Sequence, residues 1–259
     1  MRARWLTIFL DFPPGDFDAG VAFWRAVTGS GQSASRGAAQ EFATLLPPSG
    51  DPWLRAQRVA SGPGGCHLDL HVGPSARALD AATGEAVALG AGIRHREAGL
   101  VVADSPGGFP FCLVEWTGEA RAPEPASSGA GLALADQLCL DAPPAAFARE
   151  SQFWAALLGR SPARAVGGRP EFAYLGRAGG CVRLVVQRRD EAEPGARVTG
   201  HLDVVCGDLA AATRRHVAAG SLVRAELPWW TVLTDPAGRA YCLVAAGRSA
   251  RAQLDAGAG

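Results

Sequence analysis

Two short words in this sequence place residue types that can do chemistry where they must meet: His67-Leu68-Asp69 and His201-Leu202-Asp203. Side chains two apart on an extended strand share a face, so His67, Asp69 and His71 point one way, as do His201 and Asp203. An imidazole beside a carboxylate serves as a general base or as a polar anchor for a ligand, because the acid holds its tautomer and raises its basicity. If the chain is an enzyme without a metal, His201 and Asp203 are its candidate acid–base pair. Trp229 and Trp230 supply two rings able to stack on a flat ligand at a cavity mouth.

These words belong to a repeat. Residue i laid over residue i+130 aligns Leu10, Asp11 and Pro13 with Leu140, Asp141 and Pro143, and Phe23, Trp24 and Gly29 with Phe153, Trp154 and Gly159. Pro106, Gly108, Cys112, Leu113 and Val114 meet Pro236, Gly238, Cys242, Leu243 and Val244 at the same offset, while the two His-Leu-Asp words are 134 apart. One longer and one shorter loop explain the slip. A period this long is a duplicated domain and not a solenoid unit. Features private to one half, such as Trp229, Trp230, Tyr174 and Arg183, are not requirements of the duplicated fold. They mark the second half as the expected functional cup.

The apolar patterning supplies the positioning elements. A buried strand is expected near residues 6–12 and a helix from 17 to 27, with Asp16 as its cap and Gly29 as its left-handed stop. Short strands follow near 32–35, 41–46 and 54–59. The plan then restarts with a strand at 67–72, a helix at 76–89 ending at Gly90, and strands near 93–97, 100–103 and 109–114. Each half is two strand-helix-strand-strand-strand modules, an α+β arrangement in which two sheets side by side curve into a cup. The domains are expected at 1–116 and 133–246, with a Pro/Gly/Ser/Ala-rich linker at 117–132 and a poorly ordered tail at 247–259.

With 259 residues the chain has room for two cores. Its 25 basic and 25 acidic residues cancel, which argues against nucleic acid as a partner. No apolar run is long enough to span a membrane, and the run 6–10 is a strand that recurs near Leu140, not an export signal. The six cysteines form no CxxC pair, so a reduced, cytoplasmic protein is expected. His95, between Arg94 and Arg96, and His216, after Arg214 and Arg215, are expected at the solvated surface, and Phe23, Trp24, Phe153 and Trp154 in the core.

This module order resembles the vicinal oxygen chelate superfamily, which includes glyoxalase I, bleomycin-resistance proteins and extradiol dioxygenases. The words that carry it are Phe-Trp followed by Gly on the first helix of each half, the His-Leu-Asp strand, and the Pro-Gly turn before the last strand. The resemblance covers roughly residues 5–115 and 134–245 and looks like a tandem glyoxalase-like member. It implies metal ligands at Thr7, His67 and Cys112 in the first half and at Gln137, His201 and Cys242 in the second. The carboxylate usual on the last strand is Cys in both. A His, Cys and Gln set suits zinc better than harder ions. Alternatively, Cys112 and Cys242 are small apolar fillers of the cup floor, or nucleophiles activated by the nearby His.

The incomplete triads favour a small-molecule binding or sequestering protein, resistance-like, with no resident cofactor. The expected ligand is a small hydrophobic or aromatic molecule held among His67, Asp69, His71, Cys112, Gln137, His201, Asp203, Trp229, Trp230 and Cys242. The alternative is a lyase, isomerase or dioxygenase using a divalent zinc, iron or manganese ion on Gln137, His201 and Cys242. A monomer or homodimer is expected.

Overall fold

In a computed structural model of the chain, residues 3–124, 126–128, 131–160, 169–177 and 182–246 are described. The first half runs β1 (Trp5–Phe12), α1 (Phe17–Thr28), β2 (Gly31–Gln32), β3 (Phe42–Leu46) and β4 (Leu54–Arg58). It then repeats as β5 (Gly65–Gly73), α2 (Ala76–Ala88), β6 (Gly92–Glu97), β7 (Leu100–Asp104) and β8 (Pro110–Glu115). The second half adds β9 (Ala126–Ser128), then β10 (Gly131–Ala142), α3 (Phe147–Leu157), β11 (Phe172–Arg177) and β12 (Arg183–Arg188). It closes with β13 (Thr199–Cys206), α4 (Leu209–Ala218), β14 (Leu222–Glu226), β15 (Trp230–Thr234) and β16 (Ala240–Ala245). The position matching β2, near residue 161, and the tail 247–259 lie outside the described residues. The short strand β9 falls inside the stretch read as a linker and pairs with β10.

Each half makes one sheet, β2-β3-β4-β1-β5-β8-β7-β6 and β11-β12-β10-β13-β16-β15-β14. β1 runs parallel to β4 and antiparallel to β5, and β5 runs parallel to β8. Modules therefore join within a half. All eight residues of β1 are buried, because the strand is covered on both faces. Leu6, Ile8, Leu10 and Phe12 turn to the helix side, and Thr7, Phe9 and Asp11 to the concave side.

α1 buries Phe17, Val21, Phe23, Trp24 and Val27 and stops at Gly29, whose φ of 67° is left-handed. Asp16 precedes it, but its side chain makes no capping bond; Ser75 and Asp208 do cap α2 and α4, accepting from Ala78 N and Ala211 N. Asp16 instead closes the turn with its backbone, donating N–H to Pro13 O at 3.0 Å.

The halves share one core and are tied by their matching tryptophans. Trp24 Nε1 donates to Asp235 Oδ2 of the second half at 3.0 Å. Trp154 Nε1 donates to Glu150 Oε1 at 2.7 Å, and Glu150 Oε2 accepts Gly107 N of the first half at 2.8 Å. Asp235 is the repeat partner of Ser105, and Glu150 of Gly20. Both junction carboxylates thus come from the second half, Glu150 from α3 and Asp235 from the turn before β16. Gly20 is required where it stands: a Cβ there would lie 2.2 Å from Phe12 Cε1, whereas beside Glu150 the repeat carries Ala142 in place of Phe12. Among the described residues, no helix is long and apolar enough to cross a membrane.

Candidate functional site

In the first half, Phe9 lies opposite His67 and Thr7 opposite Asp69, and β8 sets Cys112 beside Asp69. Phe9, Asp11, His67, Asp69 and Cys112 form the floor of an open cup of about 970 Å³, a size suited to a small organic ligand. Asp11 Oδ2 lies 2.8 Å from His67 Nδ1, which assigns the donated proton to Nδ1 and leaves Nε2 facing Asp69 Oδ1 at 3.7 Å. The Phe9 ring stacks on the imidazole, centres 4.5 Å apart and planes 11° apart.

Burial opposes protonation of His67, but the charge and hydrogen bond of Asp11, with Asp69 behind, outweigh it and raise its pKa. Burial raises the pKa of Asp69, whose Oδ1 has no hydrogen-bond partner. Burial and the Asp69 charge push the Cys112 thiol up. The thiol is therefore protonated at neutral pH, not a ready nucleophile.

Above this floor the wall is apolar at Phe42, Val102 and Val114 and cationic at Arg36, Arg55 and Arg94. Arg55 lies 5.8 Å from the Phe9 ring centre and 3.8 Å from Glu119 Oε1, its side chain 19% exposed. Its Nε has no hydrogen-bond partner. Arg36 donates to Thr44 Oγ1 at 2.7 Å, and Arg94 lies 3.4 Å from Asp104. Arg36, Arg55 and Arg94 face Asp11 and Asp69 across the cup, with Glu119 beside Arg55 and Asp104 beside Arg94.

Thr7 and His71 are on the expected face but do not line the cup. Thr7 Oγ1 lies 2.9 Å from His71 Nε2, and His71 Nδ1 lies 3.7 Å from Glu119 of the segment after β8. Burial lowers the pKa of His71 to about 4, so this pair is a neutral packing contact.

In the second half Cys139 lies opposite His201, Gln137 opposite Asp203, and Cys242 beside Asp203. Asp141 Oδ2 lies 2.6 Å from His201 Nδ1, and Asp203 Oδ1 3.3 Å from Nε2. Gln137 Nε2 donates to Asp203 Oδ2 at 2.5 Å. Burial opposes protonation of His201, and Cys139, Asp141 and Asp203 together outweigh it, raising its pKa well above the ordinary value. Burial pushes the Cys139 thiol up to about 12 and also raises that of Cys242.

Each half therefore offers one imidazole, one carboxylate and one thiol with donor atoms within 4.8 Å of one another: His67, Asp69 and Cys112, and His201, Asp203 and Cys139. Neither Thr7 nor Gln137 belongs to such a set, and in the second half Cys139 joins it while Cys242 also lies beside His201 and Asp203. Asp11, Asp141 and Cys139 were not singled out from the sequence. The repeated Leu-Asp-x-Pro word was a signal for the first two; Cys139 sits where the first half has Phe9, so the repeat hid it.

Trp229 is 62% exposed, and Trp230 is half-buried beneath the Arg169 guanidinium, 5.2 Å from its ring centre. Neither borders the first cup. Residues 161–168 and 178–181, which flank β11 and β12 of the second half, lie outside the described residues. His95 is exposed, as expected, at the mouth of the first cup. His216 corrects the expectation of a surface residue: it is fully buried, with Nδ1 2.8 Å from Tyr241 Oη and its ring 6.0 Å from Phe23 of the other half. Arg214 is exposed, whereas Arg215 donates to Val27 O of the first half, so Arg215 and His216 both serve the junction.

The family description that matches the chain is the glyoxalase-like domain, over residues 7–114 and again over 137–244. No curated protein matches the sequence. Among solved structures, the 2,2',3-trihydroxybiphenyl 1,2-dioxygenase of Sphingomonas wittichii is similar at a TM-score of 0.63 and 13% identity, over 95% of this chain and 91% of that one. The Mn(II)-bound glyoxalase of Novosphingobium aromaticivorans gives 0.62 and 15%, over 94% and 81%. The 2,3-dioxygenase LapB of a Pseudomonas species gives 0.61 and 14%, over 95% and 92%. At these identities the likeness is one of fold.

Proposed function

The chain belongs to the glyoxalase-like domain family in both halves, and from that premise we propose that it acts by enclosing a small molecule in its first cup. The ligand class is an organic anion with a flat apolar body. The observation that carries this reading is Arg55, a largely buried guanidinium with an unpartnered Nε, set over Phe9 on the wall of a cup of about 970 Å³. An anionic head pairs with Arg55 and Arg36, while the body rests among Phe42, Val102 and Val114. Such a site needs a shaped apolar cavity and few fixed polar groups, so the absent carboxylate on β8 is no obstacle.

A library of aryl acids, screened by ligand-observed NMR, tests it. Hits should bind the wild type and fail on Val102→Trp, which fills the cup. Equal binding to both proteins would remove the cup from the account.

A second reading, a metal-dependent enzyme of the lyase, isomerase or dioxygenase type, is favoured by the floor itself. His67, Asp69 and Cys112 each bring one donor atom within 4.8 Å of the others, and the buried Asp69 Oδ1, 3.7 Å from His67 Nε2, has no hydrogen-bond partner. The set suits zinc or iron. Such an ion would act as a Lewis acid on a ligand oxygen. Asp11 holds the His67 ring so that Nε2 faces inward, and Phe9 covers one face of the ring against water. Metal retained after dialysis by the wild type and lost from His67→Ala supports this reading; no metal in either removes it.

A further inference from the structure

The second half holds a donor set that neither the repeat nor the family pattern anticipates. Cys139 on β10 stands directly opposite His201 on β13, and Asp203 follows on the same face. Their Sγ, ring nitrogen and carboxylate oxygen all lie within 4.8 Å of one another, with His201 Nε2 and Asp203 Oδ1 at 3.3 Å. Ligands on one tetrahedral ion with bonds of about 2.0–2.3 Å are separated by about 3.3–3.8 Å. Small side-chain movements therefore close the set on a single ion. We propose that Cys139, His201 and Asp203 form a site for a thiolate-preferring divalent cation such as zinc.

The surroundings are those of a metal site. Asp141 Oδ2 holds His201 Nδ1 at 2.6 Å, which fixes the tautomer and aims Nε2 at Asp203. This is the carboxylate–imidazole pairing that orients a metal-bound His. Gln137, where the family pattern would place a ligand, instead donates to the outer oxygen of Asp203 and leaves Oδ1 facing the imidazole. As the ion enters, the Cys139 S–H bond and the His201 Nε2–H bond break, both protons leave to solvent, and the thiolate sulfur and the freed imidazole nitrogen bond the metal.

The first half builds a corresponding set with its thiol on the opposite neighbour of the central strand. Cys112 comes from β8, which pairs with β5 on the side away from β1. In the second half the thiol comes from β10, the partner corresponding to β1. There Cys139 replaces Phe9, so one substitution in the repeat exchanges a ring that covers the imidazole for a ligand. The proposal does not depend on what the first cup binds.

Cobalt(II) titration of the full chain tests it. On a Cys112→Ser background, one equivalent should give a near-ultraviolet thiolate-to-cobalt band that zinc displaces. Cys139→Ser should abolish the band and Cys242→Ser should keep it. Asp141→Asn should weaken cobalt binding about 10–100-fold, and far-ultraviolet circular dichroism checks that each variant folds. No thiolate band on the Cys112→Ser background, or a band lost with Cys242→Ser and kept with Cys139→Ser, overturns the proposal.

Discussion

Phe9 lies flat on His67, ring centres 4.5 Å apart, and its counterpart one repeat later is Cys139, which lies opposite His201. This exchange separates two otherwise similar floors. In the first half an apolar ring covers the imidazole and forms part of the floor; in the second a polarizable donor takes that place. Both halves keep a His, Asp and Cys set on this floor, with the thiol on a different strand in each.

Asp11 sets the state of His67. Asp11→Asn removes the opposing charge and weakens the 2.8 Å contact, while burial, which lowers the imidazole pKa, remains. The His67 titration followed by NMR should move from above to at or below the ordinary value of about 6.5. An unchanged titration would show that Asp69 alone holds the proton.

His216 makes the fold acid-sensitive. Burial, with Arg215 adding to it, lowers its pKa to about 4, against about 6.5 in an unfolded chain. The neutral ring's stabilising contribution is therefore present above about pH 6.5 and is lost as pH falls toward 4, by an amount on the order of 3 kcal/mol. His67 and His201, with raised values, act oppositely. Their contribution is complete below about pH 6.5 and disappears as pH rises through the folded value. Urea unfolding at pH 7 and pH 4.5 should show a smaller acid loss for His216→Gln than for the wild type.

Glu150 joins the halves through Gly107 N and Trp154 Nε1. Glu150→Ala leaves both donors without this acceptor and should cost about 2–4 kcal/mol in urea unfolding. Ligand binding in the first cup should be unchanged.

The repeat contains its own double-mutant experiment. Gly20→Ala places a Cβ against the Phe12 ring and should destabilise by about 1–3 kcal/mol. Phe12→Ala alone should cost about 3–5 kcal/mol. The double variant, which imitates the Ala142 environment of Glu150, should cost less than the sum; strict additivity would show that the predicted clash is absent.

Much of this architecture was readable from residue patterns because both periodicity and duplication speak for it. The strand at 67–72, the helix stopping at Gly29 and the outward His95 follow from alternation, turn chemistry and charge. The site was only half readable. Alternation put His67 and Asp69 on one face, as found, but which side chain completes the cluster depends on cross-strand register, which no single strand encodes. Thr7 turns to His71, and in the second half Cys139 joins His201 and Asp203. His216 is buried although two arginines precede it, because Arg215 itself turns into the junction and the Tyr241 that bonds His216 is 25 residues away. The private aromatics Trp229 and Trp230 pointed to the second half, and neither borders the first cup.

The most direct measurement is calorimetric titration of aryl carboxylates and their matching amides into wild type and Arg55→Gln. The account predicts that wild type favours the carboxylate by at least about tenfold, near 1.4 kcal/mol, and that Arg55→Gln erases this preference while still binding the amide. Equal affinity of the wild type for acid and amide, or a preference that survives Arg55→Gln, would contradict an anion-binding first cup.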